Sequence, residues 1–521
     1  MLDAGLGKTN LKKNEDRFCY VVGAGTFAVK VSHVLVKHNT EHQFIDEFYE
    51  GKLCDRLVNR ASDISSFDAC FIIAISNPVY AENAISRLKA LGVAPKKLLS
   101  LLFESELMML DQMLCDDPIR FWTLVQLDTH SFIDLEEKFY PLLADSQSND
   151  KPNIGFFYIG KGGGFRAHVA DLPKQLAESY NVREHSDIAS LSDNDCSYLM
   201  MSESRMLQYD WPDLVINPHF FACSPPQIPK LTMLHMMYDF LVHTDLVARV
   251  MQQSDTHYLF IPSRPSMHLH QQICHDYQLT NNLVLIPGGY PRLDVNRQKY
   301  AELDSLQENK KSIIYAPTLS SLVATEETQY TYSILDAVHF IPAILDTFPA
   351  YQVIFRPHPD DLVTVKQGII TERANAFRTL LQFCDTHPRC RLDDNSTDYI
   401  STFAQASVLI SDTSAIAYSF ALITQKPVIF YSSNQKKVAE LMSHLSYIKD
   451  REKLGHCVDS VSGLIDCLKT SLENSAKNYN SFEPEQVIYN PDCSLNYLID
   501  NLNYILDDKK HPDWWYWRDH C

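Results

Sequence analysis

The feature that most constrains this chain is a repeated alternation. A short, almost wholly apolar run leads into a turn, and apolar residues at helical spacing follow. FCYVVGAGTF runs into a glycine turn, and FAVKVSHVLVKH continues at helical spacing. HQFIDEF predicts a second strand ending near Asp46. ACFIIAISNP predicts a third, and AENAISRLKALG a helix stopped by Gly92. Alternating β and α segments of these lengths imply a parallel sheet covered by helices.

The alternation recurs twice more. One set opens at IGFFYIGKGGGF. It carries a predicted helix HVADLPKQLAESY, strands near 197–201 and 214–217, the strand YLFIPS, the helix SMHLHQQICHDY and the strand LVLIPGGYPRLD. The other starts at SIIYAPT, with helices near 333–346 and 370–384 and the strand YQVIFRPHP. It closes with ISTFAQASVLISDTSAIAYSFALITQKPVIFY. The polar run ADSQSNDKPN separates the first set from the second. A chain of 521 residues is too long for one core. The expected division is a Rossmann-like domain at 1–112, a helical linker at 113–150, two α/β lobes at 151–300 and 301–480, and a tail at 481–521.

The net charge of −19 argues against sequence-independent nucleic-acid binding, which needs Lys and Arg to neutralise phosphates. Thirteen cysteines without a CxxC pair read as reduced thiols. Cys384 and Cys390 flank His387, but no second ligand pair follows at zinc-like spacing, so no metal site is expected. The opening MLDAGLGKTNLKKNEDRF lacks the apolar segment of a signal peptide. No stretch reaches the ~20 apolar residues of a membrane span. A cytoplasmic location is expected, with any membrane-bound substrate met from the surface. Trp514, Trp515, Tyr516 and Trp517, with Lys509 and Lys510, suggest contact with the inner membrane face. Packing of this tail onto the body is the competing reading.

Gly23-Ala24-Gly25-Thr26-Phe27-Ala28 fits GxGxxA after a strand, with Asp46 about twenty residues on. Gly23, Gly25 and Asp46 are therefore candidate cofactor-binding residues, for NAD or a nucleotide-sugar. Gly160-Lys161-Gly162-Gly163-Gly164 also follows a strand, but it lacks the GK[ST] of a phosphate-binding P-loop.

Four further motifs fall in order at predicted strand ends: GYPRLD at 289–294, YAPT at 315–318, RPHPD at 356–360 and SDTS at 411–414. Ligands of open α/β sheets bind at these carboxyl ends. Arg292 and Arg356 suit phosphate oxygens. Thr413 and Ser414 stand at the start of a predicted helix whose dipole favours a diphosphate. Prolines flank His358 and fix its loop.

This ordered set resembles the CDP-glycerol glycerophosphotransferase family of teichoic-acid and capsule synthesis, whose members carry GYPRxD, YAPT, a basic residue with HP, and TDYSS…FDFALL…KPVIFY. The resemblance covers roughly 285–470 and implies a GT-B-like pair of Rossmann-type lobes, with the first domain added. It also implies transfer of glycerol phosphate from CDP-glycerol to an acceptor hydroxyl on a glycan or lipid-linked chain. The family's WHG-x-x-K segment has its nearest match at Leu234-His235-Met236-Met237-Tyr238-Asp239, without the glycine and lysine. Ser419 stands where the family pattern has aspartate.

On this resemblance, His235 is the expected base and His358 and Arg356 stabilise the phosphates. Ser411, Asp412, Thr413 and Ser414 hold the donor, and Arg292 and Thr318 line the cleft. No cofactor is required; Mg2+ would enter with the diphosphate. Alternative readings are a glycosyltransferase using a nucleotide-sugar, an inactive nucleotide-binding scaffold, and an NAD enzyme centred on the first domain. A homo-oligomer is compatible with all of them.

Overall fold

The computed structural model describes residues 18–64, 67, 69–126, 131–141, 151–159, 166–187, 199–220, 224–240, 244–304, 311–320, 328–366, 368, 370–395, 398–473 and 484–521. These fall into two compact units. One draws its described residues from 1–163, 180–215 and 221–225, the other from 164–179, 216–220 and 226–521.

The first unit begins with β1 (Phe18–Val22), β2 (Glu41–Ile45), β3 (Lys52–Leu53), β4 (Arg56–Asn59), β5 (Cys70–Ala74) and β6 (Leu98–Leu101). Their order in the sheet is β3-β4-β2-β1-β5-β6. All neighbours run parallel except the edge pair β3 and β4. β5 is buried along its whole length, as expected of a strand covered on both faces. Helix Thr26–Lys37 packs Phe27, Ala28, Val31 and Leu35 on one face. Helix Pro78–Ala90 packs Ala81 and Leu88 on the other.

Helices Glu104–Asp116, Pro118–Gln126 and Phe132–Phe139 join the core of the first face through Leu110, Met113, Phe121, Trp122, Leu135 and Phe139. The stretch expected as a linker from 113 thus contributes core residues to this unit. Its acidic surface hides an apolar stripe at helical spacing. Three further parallel strands, β7 (Asn153–Tyr158), β8 (Asn181–Ser186) and β9 (Leu199–Met200), pair in that order. β10 (Leu214–Asn217) is a short buried strand.

In the second unit β11 (Lys230–Met233), β12 (Thr256–Ile261) and β13 (Asn282–Pro287) run parallel. A second sheet holds β14 (Ser312–Tyr315), β15 (Gln352–Phe355), β16 (Cys390–Leu392), β17 (Ala406–Ser411), β18 (Val428–Tyr431) and β19 (Gly455–Val458). Its order is β16-β15-β14-β17-β18-β19, all parallel, the doubly wound arrangement of nucleotide-binding sheets. The chain is α/β, built of Rossmann-type sheets, and the sequence reading of its fold class holds.

The last segment packs onto the body, the competing reading of the tail at 481–521. Helix Ser494–Leu506 leads to β20 (Trp515–Tyr516), which pairs antiparallel with β13 through Val284↔Tyr516 and Leu285↔Trp515. Trp514 and Trp517 are buried. The Trp517 indole donates to the Leu279 carbonyl at 2.6 Å, and the Trp514 indole to the Tyr497 hydroxyl at 3.0 Å. These two rings lie inside the protein and not at a membrane surface. Among the described residues no helix is long and apolar enough to cross a membrane. The described cysteines are free thiols.

Two histidines of the second unit make its stability pH-dependent. Burial pushes His257 down to about 3 and His270 down to about 4. Each is held neutral in the folded state, whereas an unfolded histidine binds a proton near pH 6.5. Their contribution is complete above that pH and is lost as pH falls toward the folded values. Each should cost about 2 kcal/mol between pH 6.5 and 5, at ~1.4 kcal/mol per pH unit. Urea unfolding of this unit, followed at pH 7, 6 and 5, should show a falling midpoint. A midpoint unchanged from pH 7 to 5 would contradict this reading.

Candidate active site

β15 and β17 flank β14 on opposite sides, so the loops leaving β14 and β17 diverge and open a crevice at their carboxyl ends. The loops are Ala316–Thr318 and Asp412–Ser414. Asp412 is buried at their junction. Its Oδ1 accepts from the amides of Thr318 at 2.8 Å and Thr413 at 2.7 Å. Its Oδ2 accepts from the Ser333 amide at 3.0 Å and hydroxyl at 2.9 Å. Burial pushes the carboxyl above the usual range, against the pull of these four bonds. The Ser411 hydroxyl donates to the Ala316 carbonyl at 2.7 Å, and Thr413 Oγ1 to the Thr331 carbonyl at 2.9 Å.

Ser411 and Asp412 thus bind the two strand ends to each other, and Thr413 ties its loop to the turn at Thr331. Asp412 in particular has both oxygens engaged internally, so its part in the site is to shape it. Ser414 stands next in line. Helix Ile416–Thr424 follows without a side-chain cap; the Ala417 and Tyr418 amides donate to the Ser414 and Ala415 carbonyls, each at 3.2 Å, so the Ile416 amide and the positive dipole end are what the helix start offers an anion.

Arg356, at the end of β15, is also engaged. Its Nη1 meets Asp393 Oδ2 at 2.6 Å and its Nη2 donates to the Asn395 carbonyl at 2.7 Å. The pair is buried, and the Arg356 guanidinium lies 5.7 Å from the Tyr399 ring. Arg292 lies 5.2 Å from the same ring. Arg356 is therefore held inside the fold by Asp393 and the Asn395 carbonyl. His358 stands half-exposed at the start of helix Pro359–Lys366, and its Nδ1 accepts the Asp360 amide at 3.2 Å. Asp361 takes the Ser320 amide on both oxygens, at 3.0 and 2.9 Å, tying this loop to the one beyond Thr318.

The third group gathers around His235. Gly289 leaves β13 with φ +105°, and a Cβ there would come within 2.4 Å of the Tyr489 carbonyl oxygen. Only glycine makes this turn, and the turn delivers Tyr290 and Arg292. The Arg292 Nη1 lies 3.0 Å from His168 Nε2. Arginine only donates, so Nε2 accepts and the His168 proton sits on Nδ1. From there it donates to the Tyr290 hydroxyl at 2.8 Å. Tyr290 in turn donates to the His235 carbonyl at 2.8 Å. Burial, then Arg292 and the neighbouring His235 and His219, push His168 well below the usual histidine range, in keeping with this neutral tautomer. The His235 ring lies 6.0 Å from His168 and 5.2 Å from His219.

The His235 segment is bound to the SDTS helix start. The Tyr238 and Tyr418 rings are 4.5 Å apart. Asp239 accepts the amides of Ser446 at 2.6 Å and Tyr447 at 2.7 Å. The Tyr447 hydroxyl donates to the Ser414 carbonyl at 2.7 Å. His235, Arg292, Thr318 and residues 411–414 therefore belong to one connected framework within the second unit. Gly23, Gly25 and Asp46 lie in the first unit.

His168, His219, Ser333, Tyr399 and Arg451 were not found by sequence. His168 falls in a stretch expected to be one helix. It is instead a 3-10 turn, Arg166–His168, before a helix of five residues, Leu172–Leu176. Arg451 donates to the Asp412 carbonyl at 2.9 Å with no motif around it. His219 did carry a signal. It stands two residues beyond β10, as His235 does beyond β11. The glycine cluster at 160–164 lies outside the described residues. Among the described residues one His/Asp/Cys group, His38, Asp111 and Cys115, has ligand atoms within 4.8 Å of one another. Lys37 holds its Asp111 carboxylate at 2.8 Å.

Fold and site together define a doubly wound α/β scaffold in which a helix start is tied through Tyr447 to the segment that carries His235. Residues 235–491 match the family model described as CDP-Glycerol:Poly(glycerophosphate) glycerophosphotransferase. No curated protein matches the chain significantly. Among solved structures, the wall teichoic acid polymerase TagF is similar at 15% identity, covering 75% of this chain and 97% of that one, with a TM-score of 0.47. The S. aureus MnaA–UDP structure is similar at 12% identity over 68% and 97% of the two chains, with a TM-score of 0.45. A UDP-N-acetylglucosamine 2-epimerase from Rickettsia bellii gives 12%, 68% and 97%, with a TM-score of 0.41.

Proposed function

We propose that this chain moves a glycerol phosphate or related polyol phosphate from a CDP-activated donor to a hydroxyl of a glycan or lipid-linked acceptor, in the synthesis of a cell-surface polymer. The observation that carries the reading is the physical tie between the His235 segment and Ser414, inside the segment matched by the family model. The donor diphosphate sits at Ser414 and the uncapped first turn of Ile416–Thr424. Arg292 faces the growing charge with the donors that His168 does not take.

The acceptor oxygen attacks the phosphorus of the polyol phosphate. A new P–O bond forms, the P–O bond to CMP breaks, and the acceptor proton passes to His235. Mg2+ accompanies the diphosphate and balances its charge. Asp412, Arg356 and Thr413 hold the loops in place, and fixed geometry carries much of the rate.

Ser414→Asp tests the donor position. A carboxylate there repels the diphosphate and should weaken CDP-glycerol binding by about tenfold or more, a loss of ~1.4 kcal/mol. Titration calorimetry and CMP release with CDP-glycerol measure it. Unchanged affinity and turnover would remove the donor from this helix start.

A further inference from the structure

A cavity bordered by described residues of the first unit is lined by none of the residues assigned above to the transfer reaction. It has a volume of about 710 Å³. It opens where β2 and β5 diverge on either side of β1, the crevice position of a doubly wound sheet. Three strand ends meet around it: Gly23 and Gly25 beyond β1, Asp46 and Phe48 beyond β2, and Ser76 beyond β5.

These ends differ in chemistry. Gly23 turns at φ +114°, with a Cβ position 3.0 Å from the Ala74 carbonyl oxygen, so the chain bends sharply into helix Thr26–Lys37. Gly25 is different: its φ of −83° suits any residue, and a Cβ there would meet nothing within 4 Å. Gly25 is one of the residues that line the cavity. The helix behind it has no side-chain cap and no acid in its first turn. Across the crevice, helix Pro78–Ala90 is capped by Asn77, whose Oδ1 takes the amides of Val79 and Tyr80. The uncapped helix alone offers its amides to an anion.

Asp46 Oδ1 takes the Phe48 and Tyr49 amides at 2.8 and 3.0 Å, which fixes the carboxylate at the end of β2. It follows the glycine turn by about twenty residues, the sequence separation at which dinucleotide folds place the acid that binds a ribose diol. Beyond it lie the Phe48 ring and Arg87, whose guanidinium is 5.8 Å from that ring. Phe48 is largely exposed and, with Ala61, lines the cavity, so its ring offers a face to a flat base.

We infer that this cavity binds a nucleoside 5′-diphosphate, with the phosphates at Gly23–Phe27, the ribose on Asp46 and the base between Phe48 and Ala61. The volume accommodates a further group on the distal phosphate. That group is either a second nucleoside or a sugar or polyol. The site is separate from Ser414 and does not rest on the transfer reaction.

Calorimetric titration of the full chain with NAD+, ADP, UDP and CDP tests it, repeated on Gly25→Val and Asp46→Asn. Valine at 25 fills the space beside the backbone without a clash, so circular dichroism should be unchanged. Affinity for at least one probe should fall by tenfold or more in Gly25→Val and by about fivefold in Asp46→Asn, which keeps the turn acceptor and removes the charge. NAD+ binding tightest would identify a dinucleotide; UDP or CDP with NAD+ silent, a nucleotide-linked sugar or polyol. If CDP fills two sites in the wild type, Gly25→Val should remove one and Ser414→Asp the other. No binding of any probe, or affinities equal in wild type and Gly25→Val, would overturn the proposal whatever becomes of Ser414.

Discussion

His235→Ala should lower the transfer rate by about 10²–10⁴, the range of a general base, while CDP-glycerol still binds. The split follows from position. His235 sits in the histidine cluster with its carbonyl held by Tyr290, and the donor anion site proposed above is the helix start beyond Tyr447 and Ser414. Removing the imidazole takes away the proton acceptor and leaves the anion site standing. Single-turnover CMP release and donor titration on the same preparation separate the two effects. A variant with more than about a tenth of the wild-type rate would show that another group takes the proton. A variant that no longer binds donor would make His235 a binding residue.

Asp412→Ala should cost about 3–5 kcal/mol of stability. Four donors converge on this buried carboxylate, and alanine leaves them without acceptors. Asp412→Asn should cost less, about 1–3 kcal/mol, because its carbonyl can still serve one pair of donors. Urea unfolding of the two variants gives both numbers. A loss below about 1 kcal/mol for alanine would mean that the loops find other partners. Activity should fall in both, since Thr413 and Ser414 are placed by the same bonds.

Much of this was legible in the chain. Apolar runs broken by turns gave the parallel sheets, because strands covered on both faces must be apolar throughout. The motifs at 289–294, 315–318, 356–360 and 411–414 fell at strand ends because glycine, proline and capping residues stop strands there. What the motifs could not show was direction. Asp412 and Arg356 read as ligand-binding residues by type, yet each faces a partner inside the fold. For Arg356 that partner, Asp393, is 37 positions away in a different strand's exit loop. His168 was hidden for a related reason. It reaches Tyr290 across 122 residues from a turn without a motif. The helices after 113 read as a connector because their charged faces masked a narrow apolar stripe.

The pairing of β13 with β20 has a consequence for synthesis. The two strands are about 230 residues apart in sequence. At ~5–20 residues per second, a ribosome needs roughly 10–50 s to make that stretch. Throughout that time the outer edge of β13 has open amides and carbonyls, and a bare strand edge invites pairing with another chain. The nascent protein would therefore pass through a period of dependence on holding chaperones. That period ends when the Trp515–Trp517 segment emerges and closes the edge.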